Sequence, residues 1–216
     1  MGTKRQIIVG DVHGCYAELC RLLDKVCFDP SNDHLILLGD LINKGPSSKE
    51  CYEFATLTPS VTVLMGNHEK GFAQAYLEGT LHQYESFMKM AKNWKKSFTK
   101  EVAHWCRNLP YTYDHRNFFV VHAGINPLKG FKNTSKDEMS RIRTLSIGEK
   151  KVPWHERYAG KRPIIYGHWA TQGLKLKSNS IGLDSGCVYG GQLSAYILPE
   201  KKLFQVQAQE TYLPID

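Results

Sequence analysis

The feature that most constrains this chain is a pattern that occurs three times before residue 70. A short run of β-forming apolar residues is followed by Gly and then by a side chain that can bind a metal. QIIVGD ends at Asp11, LILLGD ends at Asp40, and VTVLMGN ends at Asn67. The spacings of 29 and 27 residues each fit one strand followed by one helix. Such units usually form parallel strands, whose carboxyl ends gather ligands at one edge of a sheet. We therefore expect these three side chains to converge.

Helical periodicity fills the intervals between these strands. In the first interval, apolar residues recur at helical spacing, at Leu19, Leu22, Leu23 and Val26. The second helix is predicted to begin at Ser47 or Ser48, either of which can cap a helix, behind Pro46.

A longer apolar stripe runs from Ser86 to Arg107 and predicts a single helix. Lysines lie off the stripe, at positions 89, 92, 95, 96 and 100. Aromatic and basic side chains together can bind single-stranded nucleic acid, but these aromatic residues keep the core period and are better explained by packing. The lysines can still attract a polyanion.

Strand patterns dominate after Pro110. A hairpin is predicted to turn near residues 114–117 and to end at His122, and further strands end at His168 and near Asp184. A last hairpin turns at residues 199–202, whereas residues 130–162 carry few strand signals. No linker or low-complexity stretch interrupts residues 1–216, so we expect a single α/β domain.

The amino-acid composition indicates the cellular compartment and the class of partner. Six cysteines, at positions 15, 20, 27, 51, 106 and 187, form neither a CxxC pair nor a disulfide-like framework. With no long apolar stretch ahead of the first strand, we expect no secretory signal, no membrane span and a cytoplasmic protein with reduced thiols. The formal net charge of +7 favours anionic partners.

Five short motifs follow predicted strands in a fixed order. They are D-x-H (Asp11, His13), G-D (Asp40), G-N-H-E (residues 66–69), H-A-G (His122) and G-H (His168), and they hold four of the nine histidines. Carboxylate, imidazole and amide ligands together suit Mn, Fe, Co or Zn better than Mg or Ca, and we expect Mn. Two such ions about 3.5–4 Å apart can catalyse an in-line displacement at phosphorus.

The order of the motifs suggests a role for each residue. Asp40 is the candidate bridge between two divalent ions, with Asp11 and His13 on one ion. Asn67, His122 and His168 would bind the other ion. His68 directly follows a ligand, so it can face the leaving oxygen and donate a proton to it.

These motifs closely resemble the phosphoprotein-phosphatase superfamily of metallophosphoesterases. The stretches GDVHGCYAEL, KGPSS, HAGI, YGHWA and LDSGCVYGG are most similar to symmetrical diadenosine tetraphosphatases and ApaH-like phosphatases. The resemblance covers nearly the whole chain and is weakest at residues 70–110 and 130–160, and in the second of these segments the chain is shorter than typical bacterial members. It implies a calcineurin-like α/β fold, a βα–β sandwich of two mixed sheets flanked by helices, and it agrees with the ligand assignments.

The same resemblance suggests phosphate contacts and a substrate class. Lys44 occupies a position where the superfamily usually has Arg, and Arg143 is preferred over Arg141 as a second phosphate clamp. Asn43 occupies the position of an Asp that pairs with the catalytic His in the protein Ser/Thr phosphatases. Asn43 can orient His68 but adds no charge, which favours a leaving group that is already a stable anion. We therefore expect cleavage of phosphoanhydrides such as dinucleoside tetraphosphates.

Other functions stay open from the sequence alone. A serine/threonine protein phosphatase is compatible with the metal ligands and disfavoured by Asn43. A polyphosphate or RNA 5′-end phosphohydrolase would suit the lysines. A nucleotide- or RNA-binding protein with a decayed site is the non-enzymatic alternative, although no expected ligand is missing.

Overall fold

A computed structural model describes residues 4–214 of the chain. Its helices are α1 (Tyr16–Lys25), α2 (Ser48–Leu57), α3 (Asn67–Leu77), α4 (Glu85–Met90), α5 (Lys96–Arg107) and α6 (Lys136–Arg141). Its strands are β1 (Arg5–Val9), β2 (Asp33–Leu37), β3 (Val61–Val63), β4 (Thr112–His115), β5 (Phe118–Val121), β6 (Thr144–Ile147), β7 (Lys150–Pro153), β8 (Ile164–Tyr166), β9 (Lys175–Leu176), β10 (Ser180–Gly182), β11 (Gln192–Leu198) and β12 (Lys202–Gln207). In this part of the chain no helix is both long and apolar enough to cross a membrane.

Two mixed five-stranded sheets form the centre of the fold. The first has the order β12-β11-β1-β2-β3, and the second has the order β4-β5-β8-β10-β9. β1, β2 and β3 are parallel, as are β5, β8 and β10, whereas β11 and β12 in the first sheet and β4 and β9 in the second pair antiparallel with their neighbours. The two mixed sheets flanked by helices confirm the predicted fold class.

The alternation of side-chain direction along β1 explains how this strand packs against both α1 and the second sheet. In β1, Ile7 and Val9 pack in one apolar cluster with residues of α1, whereas Ile8 packs in another cluster with Val120 and Ile165 of the second sheet. Successive side chains of a strand point to opposite faces. The strand is therefore buried on both faces, as central parallel strands usually are. The carboxyl ends of the parallel strands of both sheets consequently open onto one edge of the sandwich.

Two local predictions need correction. The apolar stripe of 86–107 is divided between α4 and α5, and the backbone leaves the helix at 91–95. Residues 130–162, predicted to hold few strands, contain α6 and the separate β6–β7 hairpin. The predicted start of α2 is confirmed, since the helix begins at Ser48 with Ser47 at its N-cap, although the Ser47 side chain makes no capping bond.

Candidate active site

The predicted side chains meet at the carboxyl edge of the sandwich. Asp11 follows β1, Asp40 follows β2, and His122 and His168 follow β5 and β8 within two residues. Asn67 is the first residue of α3. A cavity of about 280 Å³ opens there, and its wall includes His13, Asp40, Lys44, Asn67, His68, Arg143 and His168.

Asp40 stands between two groups of potential metal ligands. One group is Asp40 with His13 and His68, the other is Asp40 with His122 and His168, and within each group the ligand atoms lie within 4.8 Å of one another. Asp40 Oδ2 is 3.5 Å from His13 Nε2, and Asp40 Oδ1 is 3.5 Å from His122 Nε2. Each carboxylate oxygen therefore faces a different imidazole, which is the arrangement that a bridging carboxylate requires.

Backbone carbonyls fix the tautomers of three imidazoles. His122 Nδ1 donates to Leu38 O at 2.9 Å, and His168 Nε2 donates to Arg141 O at 3.1 Å. His13 Nδ1 lies 3.4 Å from Ile42 O in the same way. A carbonyl can only accept, so the proton of each neutral ring is on that nitrogen and the other nitrogen presents a lone pair to the cavity. Partners of this kind commonly orient metal-binding histidines.

These lone pairs converge with the amide oxygen of Asn67. Asn67 Oδ1 is 2.8 Å from His168 Nδ1 and 3.1 Å from His122 Nε2. With the ring protons held by carbonyls on the far side, no proton is left to join these three atoms. A cation among these three electron-rich atoms would satisfy all of them at once, so the residues present fit a divalent metal ion.

Burial gives the imidazoles their metal-binding protonation state. Burial lowers the pKa of His168 to about 3 and that of His68 to about 4, in each case despite the opposing effect of Asp40. Burial likewise holds the pKa of His13 well below its ordinary value and lowers that of His122. These rings are neutral at physiological pH, the form in which imidazole binds metals.

Three buried carboxylates lie in the same small region. Burial raises the pKa of Asp11 well above its ordinary value, and the neighbouring Asp184 and Asp40 add to that shift. Burial raises the pKa of Asp184 to about 6. Burial acts in the same direction on Asp40, but interaction with the surrounding imidazoles outweighs it and lowers its pKa. Clustered acidic groups of this kind are costly without a compensating cation.

The loop after β2 is strained and is held by one side chain. Asp40, Asn43 and Lys44 all have positive φ angles, of 47°, 76° and 71°, which L-residues rarely adopt. Strain of this kind persists where the surroundings enforce it, often at functional sites. Here the buried carboxylate of Glu69 accepts the N–H groups of Asp40, Leu41 and Ile42 at 2.8, 2.8 and 3.1 Å.

Two glycines are required by close approach. A Cβ on Gly66 would collide with the backbone nitrogen and the carboxylate of Asp40, and a Cβ on Gly167 would collide with the carboxylate of Asp11. The Gly that precedes the polar residue in GNHE and in GH therefore allows an acidic side chain to reach the cavity.

His68 is oriented by Asn43. Asn43 Nδ2 donates to His68 Nδ1 at 2.9 Å and contacts Ser86 Oγ at 3.3 Å. The neutral ring therefore carries its proton on Nε2, which lies 4.0 Å from Asp40 Oδ2 and faces the cavity. In this orientation Asn43 Oδ1 is buried without a hydrogen-bond partner among the described residues.

Cationic side chains reach the cavity from two directions. Lys44 Nζ lies 3.0 Å from His13 Nε2 and donates to Tyr189 Oη at 2.8 Å. Arg143 lines the cavity and donates to His168 O at 3.2 Å. The guanidinium of Arg141 instead lies 3.7 Å from Asp137 and is half exposed. The structure therefore brings Arg143, rather than Arg141, to the cavity.

Sequence reasoning missed three residues of this site: Asp184, Tyr189 and Glu69. Asp184 follows β10 in the same way that Asp40 follows β2, so the rule of polar side chains at strand ends would have identified it. Glu69 stands in the GNHE motif, but its role depends on a loop 27 to 29 residues earlier. The contact of Tyr189 with Lys44 leaves no sequence signal.

Known proteins share this architecture. Residues 4–194 match the family described as Calcineurin-like phosphoesterase. The symmetrical bis(5′-nucleosyl)-tetraphosphatase of Vibrio campbellii is 28% identical over 264 aligned positions, which cover 93% of this chain and 98% of that protein. The enzyme of the same name from Dechloromonas aromatica is 27% identical and covers 94% of this chain, which in turn covers 96% of it.

Solved structures agree with the sequence comparison. A crystal structure of a candidate diadenosine tetraphosphatase superposes with a TM-score of 0.84 at 30% identity, covering 96% of this chain and 95% of that one. A protein serine/threonine phosphatase from Saccharomyces cerevisiae reaches a TM-score of 0.66 at 16% identity, with 98% of this chain and 81% of that one covered. The second similarity shows a shared fold only.

Proposed function

The chain belongs to the Calcineurin-like phosphoesterase family and is therefore a hydrolase of phosphate esters or anhydrides, and from this premise we propose that it cleaves the phosphoanhydride bonds of dinucleoside tetraphosphates. The observation that carries the proposal is the placement of Asp40, one oxygen towards each group of imidazoles. The names of relatives that align along nearly the full chain support the substrate class.

Two divalent ions would be held at the strand ends. We propose Asp11, His13 and Asp40 for one ion, and Asp40, Asn67, His122 and His168 for the other. When bound, such ions polarise a phosphoryl oxygen and make a nucleophilic water available at neutral pH. The mixed set of carboxylate, amide and imidazole ligands suits Mn, Fe, Co or Zn better than Mg or Ca, and of these we propose Mn.

The protein's own groups manage the leaving oxygen. His68 presents Nε2–H to the cavity because Asn43 Nδ2 occupies its other nitrogen, so Nε2–H is the group that hydrogen-bonds to the leaving oxygen, and transfer of a full proton requires the imidazolium form of His68. Asn43 provides orientation without a negative charge, and an imidazolium beside it gains little stabilisation. A leaving nucleotide phosphate needs little protonation because its second pKa is about 6.

Lys44 and Arg143 are the proposed phosphate contacts. Both line the cavity, and they approach it from different segments of the chain. Lys44 supplies a compact charge, whereas the guanidinium of Arg143 can bind two phosphate oxygens at once. Together they hold the scissile phosphate towards the ligand residues.

Two other substrates keep a specific observation in their favour. The basic segment at residues 89–100 would suit polyphosphate or RNA 5′ ends. The metal ligands would also suit a serine/threonine protein phosphatase, but the neutral Asn43 beside His68 makes an alkoxide a poor leaving group here. We further infer one catalytic domain and a cytoplasmic location, which rest on the sequence expectations.

A substrate panel tests the proposal. Diadenosine tetraphosphate, tripolyphosphate, capped RNA and a phosphoserine peptide are compared at equal concentration with added Mn²⁺, and the products are separated by chromatography. We expect the highest kcat/KM for diadenosine tetraphosphate, with ADP as its only nucleotide product. Release of ATP and AMP, or faster turnover of the phosphopeptide, would contradict the proposed specificity.

A further inference from the structure

A second, larger concavity adjoins the candidate active site. This groove, which we call the lysine groove, has a volume of about 610 Å³. Its wall comes from the loop 43–46, the first turn of α2, α4 and the segment 93–94. Lys44 and Leu213 line both the groove and the central cavity, so the two spaces are neighbours across the Lys44 side chain.

The groove begins on the leaving-group side of the centre. Asn43 lines it, and the amide of Asn43 contacts His68 on one side and Ser86 of α4 on the other. His68 turns Nε2 towards the leaving oxygen and Nδ1 towards Asn43, so the departing part of a substrate would reach the groove past Lys44, which lines both spaces. The lysine groove adjoins the central cavity there and offers a concavity into which that part can extend.

The charge of the groove suits a chain of phosphates. Lys44, Lys49 and Lys89 line it, and Glu50 is the one carboxylate among its lining residues. Within residues 4–214 no carboxylate oxygen lies within 4.0 Å of Nζ of Lys44 or Lys89, and Lys49 has a 3.6 Å contact with Glu53. Exposed contacts of that length are weak, so the ammonium groups of Lys49 and Lys89 are available to an anionic ligand, whereas Lys44 Nζ already contacts Tyr189 and His13.

The break between α4 and α5 shapes the far end of the groove. Lys89 lies near the end of α4, and Asn93 and Trp94 stand in the connection to α5. Trp94 packs edge-on against Phe72 and Phe98, which fixes the connection to the helical core. The exposed lysine and the half-buried indole therefore form a wall that is anchored to the core.

We propose that the lysine groove binds the leaving part of a linear polyphosphate substrate, with Lys49 and Lys89 as specificity-determining contacts. This rests on the proposed function for the direction of the leaving group. In the hydrolysis a water oxygen bonds to the scissile phosphorus and releases its protons to solvent, while the anhydride P–O bond breaks and the departing phosphates keep the former bridging oxygen. Substrates that have further phosphates beyond the scissile bond should therefore bind more tightly than simple phosphomonoesters.

Inhibition of a simple reaction tests the groove. Hydrolysis of 4-nitrophenyl phosphate is measured with orthophosphate, pyrophosphate or tripolyphosphate as competitor, at fixed free Mn²⁺ because polyphosphates chelate the metal. In the wild type the inhibition constant should fall as the competitor lengthens. In the double variant Lys49→Gln/Lys89→Gln the constant for tripolyphosphate should rise about 5- to 10-fold. The constant for orthophosphate and kcat/KM for the aryl ester should not change.

Lys92→Gln is the matched control. Lys92 is exposed in the same connection and does not line the groove, so its removal should leave the constant for tripolyphosphate unchanged. An equal loss in the control would assign the effect to general surface charge and overturn the proposal. Equal inhibition by all three competitors in the wild type would also overturn it, as would a double variant without loss.

The groove and the proposed function can fail separately. An enzyme that hydrolyses the aryl ester but not diadenosine tetraphosphate would contradict the proposed function, while length-dependent inhibition would still support the groove. Symmetrical cleavage without dependence on competitor length would contradict the groove alone. Titration calorimetry of tripolyphosphate into the Mn²⁺-loaded protein makes the same comparison of variants without relying on turnover.

Discussion

The pair formed by His68 and Asn43 is the residue contact with the most direct chemical consequence. Asn43 donates to His68 Nδ1 at 2.9 Å. If the ring took up a second proton, the new N–H at Nδ1 would point at the N–H group of the Asn43 amide. An imidazolium would require the amide to turn and present Oδ1, the atom that is buried without a partner among residues 4–214. His68 is therefore a weak acid as long as residue 43 is Asn, and the chemistry should depend on the leaving group.

We expect His68→Ala to separate substrates by leaving group. General acid–base groups contribute about 10²- to 10⁴-fold, and the share that is realised depends on how much the leaving oxygen needs a proton. Hydrolysis of a phosphoserine peptide should slow by that factor, and hydrolysis of diadenosine tetraphosphate or an aryl phosphate by less than about tenfold. The measurement is kcat/KM for the three substrates, and an equal loss for all three would contradict this reading.

Asn43→Asp should act in the opposite direction. A carboxylate beside Nδ1 stabilises the imidazolium and raises the pKa of His68. Turnover of the phosphoserine peptide should then rise, while that of diadenosine tetraphosphate changes little. A pH profile of kcat/KM checks the cause, because the limb assigned to His68 should move to higher pH. A variant that improves no substrate selectively would show that the charge at residue 43 does not control the leaving group.

At the scale of elements, α3 supports the strained loop after β2. Glu69 in its first turn accepts the N–H groups of three successive loop residues. We expect Glu69→Gln to cost about 2–3 kcal/mol of unfolding free energy, because the new amide group faces donors and leaves buried N–H groups without an acceptor. Urea unfolding measures this change, and Glu53→Gln on the exposed face of α2 is the matched control. A loss below about 0.5 kcal/mol would show that the loop does not depend on Glu69.

The elements that sequence predicted well are those whose position depends on one local pattern. The runs that lead to Asp11 and Asp40 are buried on both faces, so they appear in the sequence as short apolar stretches ended by Gly. Because parallel strands end at one edge, convergence of their polar residues followed without a structure. Asp184 follows the same rule after β10 and could have been identified in the same way.

The elements that sequence mispredicted depend on tertiary contacts. Phe87 of α4, Trp94 of the connection and Val102 of α5 pack on one apolar cluster, so the stripe continues across the break and hides it. The β6–β7 hairpin pairs with neither large sheet, and only Leu145 among its residues is deeply buried. Its apolar alternation is correspondingly weak. Long-range placements such as Tyr189 against Lys44 cannot be inferred from spacing.

At the scale of the whole molecule, the candidate metal site joins the two sheets. Asp11 and Asp40 follow strands of the first sheet, whereas His122, His168 and Asp184 follow strands of the second. Ions held between them would cross-link the two halves of the sandwich and relieve the repulsion among the buried carboxylates. Metal binding should therefore be visible in global stability as well as in catalysis.

We expect Mn²⁺ to raise the melting temperature of chelator-treated protein. Free metal at about 100 times its dissociation constant adds about 2.7 kcal/mol per site, which for a chain of this size corresponds to about 5–10 °C. Differential scanning calorimetry with and without Mn²⁺ measures the shift, and Ca²⁺, which prefers oxygen ligands, should produce a smaller one. Equal shifts with both ions would indicate binding to surface carboxylates instead.

The most direct measurement is the metal content and turnover of Asp40→Asn beside the wild type. After loading with Mn²⁺ and removal of excess metal, elemental analysis should find about two ions per wild-type chain and at most one in the variant, with turnover of an aryl phosphate abolished. Asp24→Asn, which removes an exposed carboxylate on α1, should match the wild type in both respects. An Asp40→Asn protein that keeps two ions and near-normal turnover would contradict the bridging role of Asp40.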